Sequence, residues 1–183
     1  MRVIAGEFKS RQLKSVDSKL TRPTTDKNKE NLFNMIGPYF DGGICLDLFG
    51  GSGGLGIEAL SRGMSELHTV DKQYKAFAVI RENFKLLKID DRAFVYKMDY
   101  QKALDKFNEE GLKFDLVLLD PPYGLKINQG ILDYLAYHDM LNDGCILVVE
   151  DLKEEALQIV KPFQLKKQNE YGITVLQIIK YER

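Results

Sequence analysis

Ile44-Cys45-Leu46-Asp47-Leu48-Phe49-Gly50-Gly51-Ser52-Gly53-Gly54-Leu55-Gly56 decides the fold. An apolar run over 44–49 reads as a strand and passes directly into a glycine-rich loop. A helical pattern over 55–62 follows, stopped by Gly63 in the place of a C-terminal cap. Glycines there let the backbone turn sharply and come close to a ligand, and a helix N-terminus offers unpaired N–H groups. A strand, a glycine loop and a helix in that order open a doubly wound α/β sheet.

Downstream the pattern repeats. Strands are expected at 67–70, 93–96, 116–119 and 145–149. Helices are expected after Asp71 (with Tyr74, Phe77, Ala78, Phe84 and Leu87 on one side), over 101–109, 127–137 and 152–160. Leu116-Val117-Leu118-Leu119 is apolar throughout, as a central parallel strand covered on both faces should be. The segments 163–168 and 173–181 flank Glu170-Tyr171-Gly172 and read as an antiparallel hairpin. Upstream, 3–8 and 12–16 can pair as a small hairpin, and a helix over 26–36 leads into the sheet. Pro23 holds Arg22 extended. The expected architecture is α/β: a mostly parallel, seven-stranded Rossmann-like sheet with a C-terminal antiparallel hairpin. A basic arm over 1–37 packs on a domain over 38–183.

The chain has 183 residues, 44% hydrophobic and 29% charged, which excludes a disordered, collagenous or histone-like protein. No stretch approaches the roughly 18 apolar residues of a membrane span. MRVIAGEFKSRQLK has no apolar core of signal-peptide length. Cys45 and Cys145 each lie in an apolar run and read as buried thiols of a reducing compartment, so a cytoplasmic monomer is expected. The formal charge of -1 hides an asymmetry. Residues 1–30 carry eight basic and four acidic side chains, a +4 arm on a body of -5. Such an arm is either a nucleic-acid contact or a solvated extension.

The glycine loop admits two ligands. Gly51-x-Gly53-x-x-Gly56 fits the dinucleotide fingerprint, and Asp71 stands where a ribose-binding acid belongs. An NAD-type dehydrogenase is therefore one reading. Asp47, however, occupies a strand position where a dinucleotide domain buries an apolar residue. A carboxylate there suits a cationic amine such as the methionine end of S-adenosylmethionine. A chain this short also leaves little for a separate dehydrogenase substrate domain. Methyl transfer is the favoured reading.

Asp120-Pro121-Pro122-Tyr123 ends the fourth strand, at the sheet edge where open α/β folds bind ligands. The prolines fix the backbone and remove donors, leaving carbonyls that can only accept. An acceptor carboxylate, an acceptor carbonyl and an aromatic face suit a planar exocyclic amine. Its two N–H groups would bond to Asp120 and the Pro121 carbonyl, drawing the nitrogen lone pair out of the ring. Tyr123 would stack on the base.

These segments resemble the class I S-adenosylmethionine-dependent methyltransferases that modify amino nitrogens, and more narrowly the RsmD-type 16S rRNA guanine-N2 methyltransferases. The resemblance runs through Arg2-Val-Ile-Ala-Gly-Glu-Phe with Arg11, Leu20-Thr-Arg-Pro-Thr-Thr-Asp, Asp47 through Gly63, Asp120-Pro-Pro-Tyr, and Tyr171-Gly172. It departs at Lys27-Asn28, where a basic and then an apolar residue are usual. By position it implies that Asp47 and the Phe49, Gly50, Gly51, Ser52 and Gly53 backbone hold the methionine portion of the cofactor. It implies Asp71 on the ribose, Asp99 on the adenine amino group with Tyr100 beside it, and Asp120 and Tyr123 on the guanine. Arg2, Arg11, Arg22 and Thr24 would touch RNA, 16S rRNA in a small-subunit assembly particle.

Asp99 fits a helix cap as well as a cofactor contact. Glu150, directly after a buried strand, can face the cleft, cap a helix or lie on the surface. His68 and His138 have no partner at ligand spacing, and no metal is expected. Alternative functions are methylation of adenine N6 or a protein glutamine, and an inactive RNA-binding assembly factor.

Overall fold

The computed structural model describes residues 1–16 and 25–183, so Arg22 and Thr24 lie outside the described residues. In chain order the elements are α1 (Asp26–Ile36), β1 (Ile44–Asp47), α2 (Gly54–Ser61), β2 (Glu66–Asp71), α3 (Tyr74–Leu87), β3 (Ala93–Lys97) and α4 (Tyr100–Glu109). They continue with β4 (Phe114–Leu119), α5 (Asn128–Tyr137), β5 (Leu141–Leu152), one 3-10 turn (Lys153–Glu155), β6 (Phe163–Tyr171) and β7 (Thr174–Tyr181).

The seven strands form one sheet in the order β3-β2-β1-β4-β5-β7-β6. β1 through β5 run parallel, and β7 is antiparallel to both β5 and β6. Because side chains alternate across a strand, Leu116 and Leu118 enter one core while Val117 and Leu119 enter the other. The first core lies under α2, α3 and the N-terminal arm, and includes Ile57, Leu60, Ile80, Phe84, Val3, Phe8 and Phe33. The second lies under α4 and α5 and includes Leu104, Phe107, Ile131 and Leu135. This is the layering expected from the sequence. Strand β6 is largely exposed at the edge, where Lys166 and Lys167 discourage further strand pairing.

Three local expectations change. The helix over 152–160 is replaced by the 3-10 turn and an extended segment. Buried Gln177 of β7 explains it: its Oε1 accepts from Leu157 N–H at 2.9 Å and its Nε2 donates to Leu157 O at 3.0 Å. Helical hydrogen bonding is thereby replaced, and Leu157 and Ile159 both pack on the second core with two-residue spacing. The buried face of α3 is Ala76, Ile80, Asn83, Phe84 and Leu87, and Tyr74 is turned to solvent. The N-terminal hairpin is short and early. Val3 N–H bonds to Arg11 O, Leu13 N–H bonds to Met1 O, and Arg2 bridges Gln12.

Ile4, Ala5, Glu7 and Phe8 turn their N–H groups to α2 instead of a second strand. Glu58 accepts from Ile4 N–H at 3.0 Å and Ala5 N–H at 3.1 Å, and Ser61 accepts from Glu7 and Phe8. Gly6 makes this approach possible, since a Cβ there would stand 2.0 Å from Ser61 O. Glu58 is fully buried and also accepts from Arg62 Nε at 3.0 Å, with Lys29 Nζ 3.7 Å away. Lys29 is buried too and donates to Arg2 O at 2.6 Å. Burial lowers its pKa, partly offset by Glu58. One charge of the +4 arm is therefore internal, a fastening rather than a surface contact.

Candidate active site

The C-terminal ends of β1 and β4 lie side by side, Asp47 pairing with Leu118. Chain connections leave in opposite directions there, the position at which open α/β sheets bind ligands. Asp47 closes β1 and is almost wholly buried, and its Oδ2 has no hydrogen-bond partner among the described residues. Burial pushes its carboxyl up to about 7, while backbone bonds from Gly56 and Phe49 pull the other way. Gly56 lets α2 come this near: a Cβ there would lie 2.8 Å from Leu67 Cδ1 and 3.1 Å from Asp47 Oδ2.

The loop between β1 and α2 is held on several sides. Gly50 N–H bonds to Val70 O and Gly53 N–H to Gly50 O, both at 2.8 Å. Gly51 and Gly53 have φ of 59° and 82°, the left-handed region that glycine adopts without cost. At Gly51 a Cβ would meet nothing within 4 Å, so the loop borders open space there. Asp71, at the end of β2, accepts from Gly51 N–H through Oδ2 at 3.0 Å and from Gln73 N–H through Oδ1 at 2.9 Å. Phe49 rests against Tyr100, ring centroids 5.6 Å apart. Asp99 is the N-cap of α4, its Oδ1 accepting from Gln101 N–H at 2.9 Å. The capping reading of Asp99 is thus realised, beside the loop and next to Tyr100.

Ser52 faces the arm. Its Oγ accepts from Val16 N–H at 2.9 Å, and its carbonyl accepts from Asn83 Nδ2 at 3.1 Å. Asn83, fully buried in α3, was not singled out from the sequence, because a polar residue amid a helical stripe reads as solvated.

Asp120 follows β4. Its own surface is open, yet the surrounding protein withdraws solvent from the carboxyl, and Glu150, Asp47 and Asp151 lie close enough to repel its charge. Together they push it up to about 7. Pro121 is buried and Tyr123 is half exposed, its hydroxyl donating to Glu150 Oε1 at 3.2 Å. Glu150 therefore belongs to this cluster; it lies within β5, and the 3-10 turn that follows has Leu152 as its N-cap. Burial raises its pKa and the Tyr123 bond lowers it. Neighbouring Asp151 has a structural task, accepting from Asn128 Nδ2 at 2.8 Å.

Arg2 pairs with Asp26 at 2.8 Å, and Arg11 donates to Leu86 O at 3.1 Å; both stay exposed. His68 is a core residue bonded to Tyr96 and Glu66.

These features fit a ligand with a cationic amine. Asp47 offers an unused buried acceptor and Gly51 an open approach to the loop backbone. An anionic pyrophosphate on this loop would instead face the buried Asp47 carboxylate, which disfavours the dinucleotide reading.

Comparison with known proteins agrees. Residues 1–180 match the family model described as "Conserved hypothetical protein 95". YlbH of Bacillus subtilis is 44% identical over 181 residues, covering 98% of both chains. "Ribosomal RNA small subunit methyltransferase D" of Haemophilus influenzae is 33% identical over 176 residues, 94% of this chain and 90% of that one. The solved structure of yhhF from Escherichia coli superposes with a TM-score of 0.88 at 28% identity, covering 100% of this chain and 98% of that chain. By these matches the chain belongs to the RsmD-type family of methyltransferases.

Proposed function

We propose that the protein methylates the exocyclic N2 of a guanine in small-subunit rRNA. The observation that carries this reading is the adjacency of Asp120-Pro-Pro-Tyr, after β4, to the Asp47 carboxylate at the end of β1, whose Oδ2 has no hydrogen-bond partner among the described residues. The full-length relative named as a small-subunit rRNA methyltransferase supports the RNA as substrate.

Asp47 would hold the cofactor's ammonium, the 49–53 backbone its carboxylate, and Asp71 its ribose through lone pairs left beside the two backbone bonds. Tyr100 and Asp99 would border the adenine. Bound there, S-adenosylmethionine supplies an electrophilic methyl group. Asp120 and the Pro121 carbonyl accept the two N–H groups of the guanine amine, which localises its lone pair, and Tyr123 stacks on the base. A carboxyl that titrates near 7 is matched to receiving the proton that the amine gives up. A base reached in this way is splayed out of its helix, which makes an assembling particle the natural substrate. Exposed Arg2 and Arg11, with Arg22 and Thr24, would contact the RNA.

The test is a map of N2-methylguanines in small-subunit rRNA from a strain lacking the gene. One methyl group is expected to vanish and to return when the protein is restored. An unchanged map would reject the reading.

A further inference from the structure

Glu150 has no part in the chemistry above, and no structural task beyond its bond to Tyr123 accounts for it. It lies in the β5 ladder, paired with Leu176 of β7, so its backbone is fixed. Leu119 pairs with Val149, which makes Asp120 and Glu150 the next residues outward on neighbouring parallel strands. Its carboxylate accepts from the hydroxyl of Tyr123, the residue assigned to the base. The Asp120 carboxylate, assigned above to the amine, thus has a second acceptor near it, half-buried and on a rigid strand.

Resting on the guanine-N2 reading, we propose that Glu150 selects guanine by accepting its N1–H. On guanine the N2 amine and N1–H are adjacent donors on one edge. Two neighbouring carboxylates accept both. A purine with an amine but an unprotonated N1 turns a lone pair towards Glu150, and lone pair then faces carboxylate with no proton between them. Sites built around a substrate N–H reject the analogue lacking it strongly.

The experiment compares small-subunit particles reconstituted with rRNA in which the mapped guanine is either retained or replaced by 2-aminopurine, which keeps the amine and lacks N1–H. The unsubstituted protein should prefer guanine by roughly a hundredfold or more in kcat/KM. Glu150→Gln, whose amide presents either an acceptor or a donor, should shrink that preference at least about tenfold, and Glu150→Ala should do the same. Tyr123→Phe removes the hydroxyl bond to Glu150 and should slow transfer while keeping the preference. A preference absent from the unsubstituted protein, kept in both Glu150 variants, or lost equally in Tyr123→Phe overturns the assignment. In those cases transfer to the guanine particle still upholds the guanine-N2 reading. Failure to methylate the guanine particle at all defeats that reading and this one together.

Discussion

Asn83 and Lys14 exchange two hydrogen bonds: Lys14 N–H donates to Asn83 Oδ1 at 2.8 Å, and Asn83 Nδ2 donates to Lys14 O at 3.0 Å. The same Nδ2 reaches Ser52 O at 3.1 Å. One buried amide therefore joins the N-terminal arm to the loop that borders Asp47. Asn83→Leu keeps the volume and leaves three backbone groups unpaired, an expected cost of about 1–3 kcal/mol for each buried group that stays dry. Thermal denaturation should show the loss, and limited proteolysis should cut the arm sooner. Equal proteolysis of the two proteins would show that the arm is held elsewhere.

Glu58 fastens the arm from the other side. Glu58→Gln keeps the shape while Lys29 and Arg62 lose their buried counter-charge. Breaking a buried pair on one side costs about 3–5 kcal/mol. At roughly 2–4 °C per kcal/mol for a domain of this size, the melting temperature should fall by about 10 °C. A change within 2 °C or so would mean that solvent reaches this network.

Much of this fold is legible in the sequence because it is local. Apolar runs mark the strands, glycines mark the turn, and the Asp-Pro-Pro-Tyr segment punctuates the end of β4. What escapes reading depends on distant partners. Residues 152–160 look helical until Gln177 captures Leu157, 20 positions away. Asn83, Lys29 and Glu58 look like solvated helix surface because their partners are backbone groups 27 to 69 positions off. Glu150 shows its place only once β4 and β5 pair. The glycine loop, Asp71 and Asp99 could be named in advance, and the helix cap read as one of two roles for Asp99 is the one formed.

Asp47 makes cofactor affinity depend on pH. Its folded-state carboxyl is raised to about 7, so it is increasingly protonated below that value. A ligand ammonium gains only from the ionised form. Affinity for S-adenosylhomocysteine should therefore rise between about pH 6 and pH 8, by at most about tenfold per unit, and then level off. Calorimetry across that range checks the sign; Asp47→Asn should bind weakly with a flat profile. Affinity that falls with rising pH would contradict the assignment.

Gly51 tests the open side of the loop. Gly51→Ala meets no atom within 4 Å, so its stability cost is the left-handed backbone alone, about 1–2 kcal/mol. The methyl group nevertheless projects into the space assigned to the cofactor. Affinity for S-adenosylhomocysteine should drop by about tenfold or more while the protein stays folded. Full affinity would place the cofactor away from this loop.

Asp120 carries the central claim, and labelled methyl transfer tests it most directly. Purified protein and radiolabelled S-adenosylmethionine are added to small subunits from the strain lacking the gene, and the rRNA is digested to nucleosides for mass spectrometry. The label should appear in N2-methylguanosine. Asp120→Ala should bind S-adenosylhomocysteine normally and transfer about 10²–10⁴-fold more slowly. Label in N6-methyladenosine or in protein, or an undiminished rate in Asp120→Ala, would contradict the account.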